Sequence, residues 1–454
     1  MFKPSASRLA LATLLLTTLA CGISLPAAGP TAAPPTAAPP TVAPPTPAQP
    51  ATASVPNLRG VFGAPITFAT HAEFAGYGFV VGPSDGQFGA IAASGGNYTF
   101  YGVAGSGAAC AGTPNARDST YTFTGTLDHV TGSTCAKLFG PGDAPAGWGF
   151  DKNYAGGGQV VRFAAASQTG WLMPFHGEVW WPNPNTPDHT CNGLPLVQCF
   201  YASLGLAVST DNGRTFKVVG QIFQPTQPLP AYFNKGMDVS TGYGSFIVAD
   251  AAGRHLDNPP ADPASAYFYL FFTDFVTGGA GACATAVCLG VARAPYSAVV
   301  AAALSGDPHQ VATVFHKYDG AAPDPWRQPA TSDTPDDSGT AGTFAPLWTD
   351  QAVIGTAVLY DSRFNVYLAA YHSREGIEVR ASSDLLHWSG PITAPYKEPG
   401  QTLYTTTLIG DTTDPTIGGA APRLYFTTFP AAEFPNWKHA VLESLPLMLS
   451  RGGT

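Results

Sequence analysis

Residues 200–223 read FYASLGLAVSTDNGRTFKVVGQIF, two apolar runs separated by a polar turn. Both runs are rich in β-branched, aromatic and small apolar residues, which favour strands. In the turn, Asp211 can cap backbone amides and Gly213 can take the positive φ that a tight turn needs. Phe216 then begins the second run, where its ring can pack between sheets. This segment therefore predicts a β-hairpin.

The same alternation of short β-rich runs and turn residues continues through residues 57–454. Few segments longer than ten residues show helical spacing; the best is 294–304, and it is short. Such a pattern is typical of an all-β sandwich, barrel or propeller. A single sandwich rarely needs about 400 residues, whereas a propeller adds blades of about 40–50 residues each. We therefore predict an all-β fold, a β-propeller.

The runs group into five blades, with six as the nearest alternative, and we expect closure to borrow a strand from one terminus. By blade, the predicted strands are 77–81, 98–103, 121–127 and 136–139; 158–164, 170–180, 200–209 and 216–223; 244–249, 267–275, 288–293 and 311–317; 352–360, 366–372, 377–382 and 388–392; and 404–409, 423–429 and 440–449.

Charge is scarce in this chain. Of 454 residues, 11% are charged, and only 21 are Lys or Arg, which leaves a net charge of −9. Nucleic acid and anionic membrane surfaces both need clustered positive charge. We therefore expect neither as a partner.

The N-terminus has the pattern of an export signal. Lys3 and Arg8 precede an apolar run over 9–20, which is too short for a membrane span. Residues 18–21 resemble a bacterial lipoprotein box, although its usual leucine is replaced by Thr18. We predict a lipoprotein-type signal peptide over 1–20 and lipidation at Cys21, with ordinary secretion as the alternative.

A Pro/Ala/Thr-rich segment follows the signal. Residues 22–56 carry no charge and eleven prolines, which lack amide protons and cannot join a sheet. We predict a disordered linker over 21–56 and a propeller domain over 57–454. The domain would then be an extracellular monomer on a bacterial cell surface, in contact with the membrane only through its lipid.

The six cysteines of the propeller domain fall into three local couples. An even number in an exported chain suggests disulfides, and no pair of CxxC motifs indicates a metal site. Of fifteen possible pairings, we predict Cys110–Cys135, Cys191–Cys199 and Cys283–Cys288.

Two family resemblances add to this interpretation. Residues 209–216 resemble the Asp-box of sialidase-like propellers, and 382–388 resemble a degenerate second copy; such boxes are structural and lie opposite the usual active site. The chain as a whole resembles five-bladed propeller glycoside hydrolases, the furanosidase-like group of families 43, 32 and 68. The segments that show this resemblance are FDKNYAGGG at 150–158, FHGE at 175–178, YLFFTD at 269–274, YLAAYH at 367–372 and SDLLHWS at 383–389. The resemblance implies an Asp base or nucleophile, an orienting Asp and a Glu acid.

Propeller topology places particular loops on one face, around the axis. The loops that join successive blades, and those between second and third strands, share that face. Glu178 is there the predicted acid, Asp151 the base or nucleophile, and Asp274 the orienting group, because glycoside hydrolysis needs paired carboxylates with separated pKa values. In the structural alternative, Asp151 caps the 156–158 turn and Asp274 holds a loop.

Aromatic and polar residues of the same face are candidates for binding a sugar ring. They are Tyr154, His176, Trp180, Trp181, His372 and Arg374. The two tryptophans alternate faces on a strand, so one of them can be a core residue. Both histidines can equally be structural.

Two other functions stay open. A sialidase-like exo-glycosidase would need three arginines on this face, and the spacing of Arg162, Arg293, Arg327 and Arg374 does not bring three of them there. A non-catalytic sugar-binding propeller would need only aromatic and polar groups in a concave channel. Carboxylates about 5–10 Å apart across the channel would favour hydrolysis.

We expect carbohydrate as the partner and no cofactor or metal. A structural calcium remains an open alternative, although nothing in the spacing of its candidate ligands requires it. Its candidate ligands are His255, Asp257, Asp262 and Asp274.

Overall fold

The fold is taken from a computed structural model of the chain. It describes residues 57–82, 84–165, 168–180, 200–226, 244–274, 287–332, 341–351 and 353–452. The predicted signal peptide, lipidation site and linker lie outside these residues. So do Trp181, Cys191, Cys199 and Cys283.

Strands dominate the described residues. The first thirteen are β1 Leu58–Phe62, β2 Ile66–Thr70, β3 Phe79–Val81, β4 Gly89–Ala92, β5 Tyr98–Ser106, β6 Ser119–Gly125, β7 Val130–Gly132, β8 Lys137–Phe139, β9 Tyr154–Gly157, β10 Val161–Ala165, β11 Gln168–Trp180, β12 Phe200–Ser209 and β13 Lys217–Phe223. The others are β14 Ser245–Asp250, β15 Ala266–Asp274, β16 Cys288–Pro295, β17 His316–Lys317, β18 Gln328–Pro329, β19 Ile354–Asp361, β20 Val366–Ser373, β21 Gly376–Ser382, β22 Gln401–Ile409, β23 Ile417–Gly418, β24 Arg423–Pro430 and β25 Val441–Arg451.

Helices are few in this part of the chain. They are α1 His71–Gly76, α2 Tyr296–Ser305 and α3 Pro308–Thr313, with 3-10 turns at Ser94–Gly96, Ala431–Glu433 and Trp437–His439. None of the helices in the described residues has the length and apolarity that a membrane crossing requires. The short helical segment predicted near residue 294 corresponds to α2.

The strands form five sheets, the blades of a five-bladed propeller. Blade 1 contains β3–β8, blade 2 contains β9–β13, and blade 3 contains β14–β18. Blade 4 contains β19–β21, with β23 added in parallel to β19. Blade 5 contains β22, β24 and β25. The predicted fold class and blade number are thereby confirmed.

The N-terminal strands close the ring. Strands β1 and β2 both pair antiparallel with β25, so that Leu58 faces Arg451 and Thr70 faces Val441. The last blade therefore takes its outermost strands from the start of the domain. This confirms that closure borrows a strand from a terminus.

Two predicted outer strands and one inner strand differ from the structure. In blade 3, α3 replaces residues 311–313 of the predicted strand 311–317 and only 316–317 is a strand, because Asp307 caps the amide of His309 and Pro308 suits a first helical turn. In blade 4, only Trp388 of 388–392 bridges Ser382 as a strand would, and the following Pro391 lacks an amide proton. In blade 1, the inner edge continues from β3 into β4, which the prediction missed.

The hairpin at 200–223 forms as its turn predicts. Asp211 accepts hydrogen bonds from the amide and the hydroxyl of Thr215, at 3.0 and 2.7 Å. Gly213 has a φ of 77°, and the ring of Phe216 meets that of Tyr101 edge-on at 5.5 Å. The turn thus joins blade 2 to blade 1.

One predicted disulfide is confirmed. Cys110 and Cys135 are bonded within blade 1, with Cα atoms 5.7 Å apart. Cys288 is also disulfide-bonded. Its predicted partner and the third couple lie outside the described residues.

Two glutamine side chains form hydrogen bonds between blades. The amide of Gln87, from blade 1, donates to the carbonyl of Thr356 in blade 4 at 2.7 Å. Gln159, from blade 2, accepts from the amide of Phe246 in blade 3 at 2.8 Å. These contacts join blade 1 to blade 4 and blade 2 to blade 3.

Candidate active site

Asp85 lies on the segment that connects β3 to β4, two residues before Gln87. Its amide donates to the carbonyl of Val103 in the same blade at 3.2 Å. The hydroxyl of Tyr154, in blade 2, donates to its carbonyl oxygen. Two blades therefore fix the backbone that carries this carboxyl.

Blade 5 holds the residues on either side of Asp85. The hydroxyl of Thr427 donates to the carbonyl of Ser84 at 3.2 Å. The amide of Phe88 donates to the hydroxyl of Thr407 at 3.1 Å. Hydrogen bonds from blades 1, 2 and 5 hold residues 84–88. The position of Asp85 therefore depends on closure of the ring.

Glu178 stands on β11, opposite Tyr154 in the strand pairing. Its Oε1 is 2.8 Å from Nε2 of His176, and its Oε2 accepts from the indole of Trp180. The Glu178 side chain is 15% exposed and that of His176 is 2% exposed. The structure thus brings together Tyr154, His176, Glu178 and Trp180.

Asp118 provides a third carboxyl. It immediately precedes β6, and its carbonyl accepts from the amide of Ala155, next to Tyr154, at 2.9 Å. Asp85, Asp118 and Glu178 therefore converge on Tyr154 from blades 1 and 2. We call these three residues the carboxylate cluster.

Two members of the carboxylate cluster have raised pKa values. Burial, followed by the charges of Glu178 and Asp118, raises the pKa of Asp85 to about 8, against a hydrogen bond from Tyr404 that lowers it. Burial and the charge of Glu178 raise the pKa of Asp118 to about 6. Asp85 consequently holds a proton at neutral pH. Burial and the charges of Asp85 and Glu178 keep the pKa of Tyr404 well above its usual value, so its phenol stays neutral.

Unusual backbone conformations surround this cluster. Ser84, Asp118 and Thr405 are non-glycine residues with left-handed φ values of 34°, 50° and 57°. Such conformations cost free energy and concentrate at functional sites. They flank Asp85, carry Asp118 and follow Tyr404, which are all residues of this face.

His372 completes the face from blade 4. Its Nε2 is 2.8 Å from the carbonyl of Thr405, and burial lowers its pKa. Arg374, two residues later, is exposed. His372 therefore supports the strand that bears Tyr404.

The other two residues of the predicted triad contact different groups. Asp151 is fully buried and accepts from the amide of Ala144 at 2.9 Å. Asp274 is also fully buried and accepts from the amide of Thr226 at 2.8 Å, and its charge acts on the buried Lys317. Asp151 thus binds an amide of the segment that precedes it, not the 156–158 turn named in the structural alternative, and Asp274 binds an amide of the segment that follows β13.

Asp85, Asp118 and Tyr404 were absent from the sequence prediction. Asp85 lies in Gly-Pro-Ser-Asp-Gly, which has turn composition, and the strand after it was not recognised. Its position before an inner strand of blade 1 matches that of Asp151 before blade 2. The blade repeat is therefore the signal that could have found it.

Two of the four arginines considered for a sialidase contact other parts of the fold. Arg293 donates to the carbonyl of Ala251, in the turn between β14 and β15 at the opposite face. Arg327 pairs with Asp319 at 2.9 Å. Neither contacts the carboxylate cluster.

The calcium candidates remain a sequence expectation. Within the described residues, no group of three or more His, Cys, Asp or Glu side chains is arranged to hold a metal ion. His255 instead stacks on Tyr360 with ring centres 3.7 Å apart.

Comparison with known proteins gives structural matches alone. No family model and no curated protein matches the chain. A family 117 glycoside hydrolase of the marine bacterium Zobellia galactanivorans is similar at 9% identity and a TM-score of 0.46, over 86% of this chain and 90% of that one. The catalytic domain of the Coprinopsis cinerea GH62 alpha-L-arabinofuranosidase has 11% identity and a TM-score of 0.43, over 86% and 97%. A glycosyl hydrolase from Bacteroides ovatus has 10% identity and a TM-score of 0.42, over 85% and 94%. The five-bladed fold itself rests on the strand pairing described above.

Proposed function

We propose that this propeller is a glycoside hydrolase and that the carboxylate cluster is its active site. The observation that carries the proposal is the convergence of Asp85, Asp118 and Glu178 on Tyr154, where burial and the charge of Glu178 raise the pKa of Asp85 and of Asp118. Hydrolysis of a glycosidic bond needs one carboxyl that holds a proton and one that accepts one. Neighbouring acids that push their pKa values apart supply both.

Asp85 is the proton donor in this proposal. It gives its proton to the glycosidic oxygen as the bond between that oxygen and the anomeric carbon breaks. Glu178 accepts a proton from the water that attacks the anomeric carbon. Burial, together with the charges of Glu178 and Asp118, keeps the pKa of Asp85 high. The assignment departs from the sequence prediction, which made Glu178 the acid.

The geometry around Glu178 supports its role. Both of its oxygens already have partners, since His176 and Trp180 hold the carboxyl in one orientation. A carboxyl that is already fixed can activate a water molecule without a further loss of side-chain entropy. The partly exposed ring of Trp180 also offers a surface for a sugar.

Turnover of a glycoside panel tests the proposal. We would assay arabinofuranosides, xylosides, fructans and sialosides with the wild type and with Asp85→Asn and Glu178→Gln. Each substitution should lower kcat/KM by about 10²–10⁴-fold. Loss in Asp85→Asn should be smaller for aryl glycosides, whose leaving groups need no proton, while Glu178→Gln should affect both substrate types equally.

Asp151→Asn and Asp274→Asn provide the matched comparison, because they remove carboxyls that the sequence alone would have chosen. If they abolish turnover and Asp85→Asn does not, the carboxylate cluster is not the catalytic site. Binding of a glycoside without turnover by the wild type would instead favour the non-catalytic sugar-binding function.

We also propose that the enzyme acts at a bacterial cell surface as a lipid-anchored monomer. The support is in the sequence: a signal-like segment, Cys21 at its end, and a charge-free linker after it. Cys21→Ser should move the expressed protein from the membrane fraction to the soluble exported fraction. Retention in the membrane fraction would contradict lipidation.

A further inference from the structure

Phe434 and Trp437 pack beside Tyr404, which contacts the carboxylate cluster. Tyr404 is hydrogen-bonded to Asp85, and its ring centre is 5.8 Å from that of Phe434 and 6.2 Å from that of Trp437. Phe429 packs behind both, at 5.2 and 5.0 Å. Apolar contact is therefore continuous from the proposed catalytic acid to the rim of the axial face.

The rim rings are open to solvent. Phe434 is 37% exposed, one of few large apolar side chains with that exposure among the described residues, and Trp437 is partly exposed. A large aromatic ring gains free energy by burial, so its exposure beside a polar site needs a reason. Flat rings of this kind bind the apolar C–H face of a sugar.

The loop that carries these rings is ordered by its own contacts. It joins β24 to β25, on the face that holds the carboxylate cluster, and contains two 3-10 turns. The amide of Asn436 donates to the carbonyl of Glu433 at 2.6 Å, and that of His439 donates to Asn436 at 3.0 Å. His71 of α1 donates its amide to Ala440 at 3.2 Å. The rings are thus held in place before any ligand arrives.

We propose that Phe434 and Trp437 form a second sugar-binding subsite, the rim platform, which holds the next unit of an oligosaccharide. This inference rests on the proposed function. Because the rim platform sits beside the carboxylate cluster rather than within it, it selects substrates of at least two units. Tyr404 connects the two regions, with its ring in the platform and its hydroxyl on Asp85.

Binding of short oligosaccharides tests the platform separately from catalysis. In a Glu178→Gln background, calorimetry would compare xylotriose, arabinotriose and the fructan trisaccharide kestose with xylose, arabinose and fructose. At least one trisaccharide should bind more tightly than its monosaccharide. Phe434→Leu and Trp437→Ala should each lower that trisaccharide affinity by about five- to twentyfold and lower its ratio to the monosaccharide affinity.

Two further variants control this experiment. Trp437→Phe keeps a flat ring and should retain most of the trisaccharide affinity. Met448→Ala removes another exposed apolar side chain of blade 5, 47% exposed on β25, and should leave the affinities unchanged. These variants separate loss of a stacking ring from a general change in blade 5.

Three results would overturn the platform: equal losses for trisaccharide and monosaccharide, no loss beyond that of Met448→Ala, or no trisaccharide binding at all. The proposed hydrolysis fails on a different result. If the wild type binds a trisaccharide through Phe434 but cleaves no glycoside, the platform stands and the protein is a sugar-binding propeller.

Discussion

The hydroxyl of Tyr404 is hydrogen-bonded to the carboxyl of Asp85, although 319 positions separate them in the chain. Burial and the charges of Glu178 and Asp118 raise the pKa of Asp85, whereas this hydrogen bond lowers it. Blade 5 therefore adjusts an acid that blade 1 carries. The contact exists because the ring closes between the first and last blades.

Removing this hydrogen bond should shift the pH dependence of activity. In Tyr404→Phe the pKa of Asp85 rises further, so the acid keeps its proton to a higher pH. We expect the alkaline limb of the kcat/KM profile to move upward by about 0.5–1 pH unit, the size of one hydrogen bond. Profiles of kcat/KM from pH 5 to 10 measure this shift.

Tyr425→Phe is the matched control, because its hydroxyl donates to the carbonyl of Leu127 at 2.8 Å, away from the site. Its profile should coincide with that of the wild type. A downward shift in Tyr404→Phe would show that Asp85 is not the protonated catalytic group.

The same acid should cost stability. The folded pKa of Asp85 is about 8 against 3.8 for the free side chain, so folding retains a proton that the unfolded chain releases. Any stability linked to this group is present at about pH 4 and lost as the pH rises through 8. Asp85→Asn keeps the shape without the charge. At pH 8.5 the free energy of unfolding of this variant should exceed that of the wild type by about 1–3 kcal/mol, after discounting for solvent screening.

Urea unfolding at pH 4.5 and 8.5 tests this cost. The gain of Asp85→Asn should be small at the lower pH and largest at the higher one. Asp128→Asn, which removes an exposed partner of Arg423, should change stability by less than about 0.5 kcal/mol at both. A gain for Asp85→Asn that does not depend on pH would contradict the linkage.

A second pair of acids gives a pH effect remote from catalysis. Burial, then the charge and hydrogen bond of Glu398, raise the pKa of Glu443 from 4.5 to about 7. Stability linked to their shared proton is complete below about pH 4.5 and is lost as the pH rises through 7. Tyr396, whose pKa burial and these acids raise to about 12, stays neutral throughout that range.

Glu443→Gln should remove most of this pH dependence. The amide can donate to Glu398 at any pH, so the variant should exceed the wild type by about 1 kcal/mol at pH 8 after discounting for exposure. Thermal unfolding at pH 5 and pH 8 measures the difference. A fall in stability of equal size at both values would mean that the pair shares no proton.

The blades could be predicted from the sequence, whereas the site could be predicted only in part. Strand alternation and turn chemistry are local, so segments such as β12 and β13 are visible in the sequence itself. Glu178, His176 and Trp180 were found because they lie on one strand. Asp85 depends on contacts from Thr427 and Tyr404, which follow from closure of the ring and leave no local pattern.

The helix α3 shows a different reason for error. Residues 311–317 are apolar enough for an outer strand, yet Asp307 and Pro308 begin a helical turn just before them. Val311 then packs against Gly220 of β13, where the space beside the backbone is already filled. Local capping decided the structure against the blade pattern there, and capping signals should be given priority over repeat symmetry at blade edges.

The disulfide between Cys110 and Cys135 should stabilise both the fold and the site. It closes a loop whose ends are separated by 25 positions, and Asp118 lies within that loop. Loop closure of this size is worth about 3.5 kcal/mol in the unfolded-chain model. Cys110→Ala/Cys135→Ala should therefore lower the unfolding free energy by about 2–4 kcal/mol.

The loop also predicts an effect on activity that a purely structural bond would lack. Ser106, just before the loop, accepts from the amide of Ala116 at 2.9 Å, and the carbonyl of Ala116 accepts from the hydroxyl of Tyr121 at 2.8 Å. The disulfide and these contacts together set the approach to Asp118. Loosening it should weaken the charge that Asp118 exerts on Asp85 and lower the alkaline limit of activity. Profiles recorded at a temperature where the double variant is fully folded test this coupling, and an unchanged limit beside lower stability would confine the disulfide to the fold.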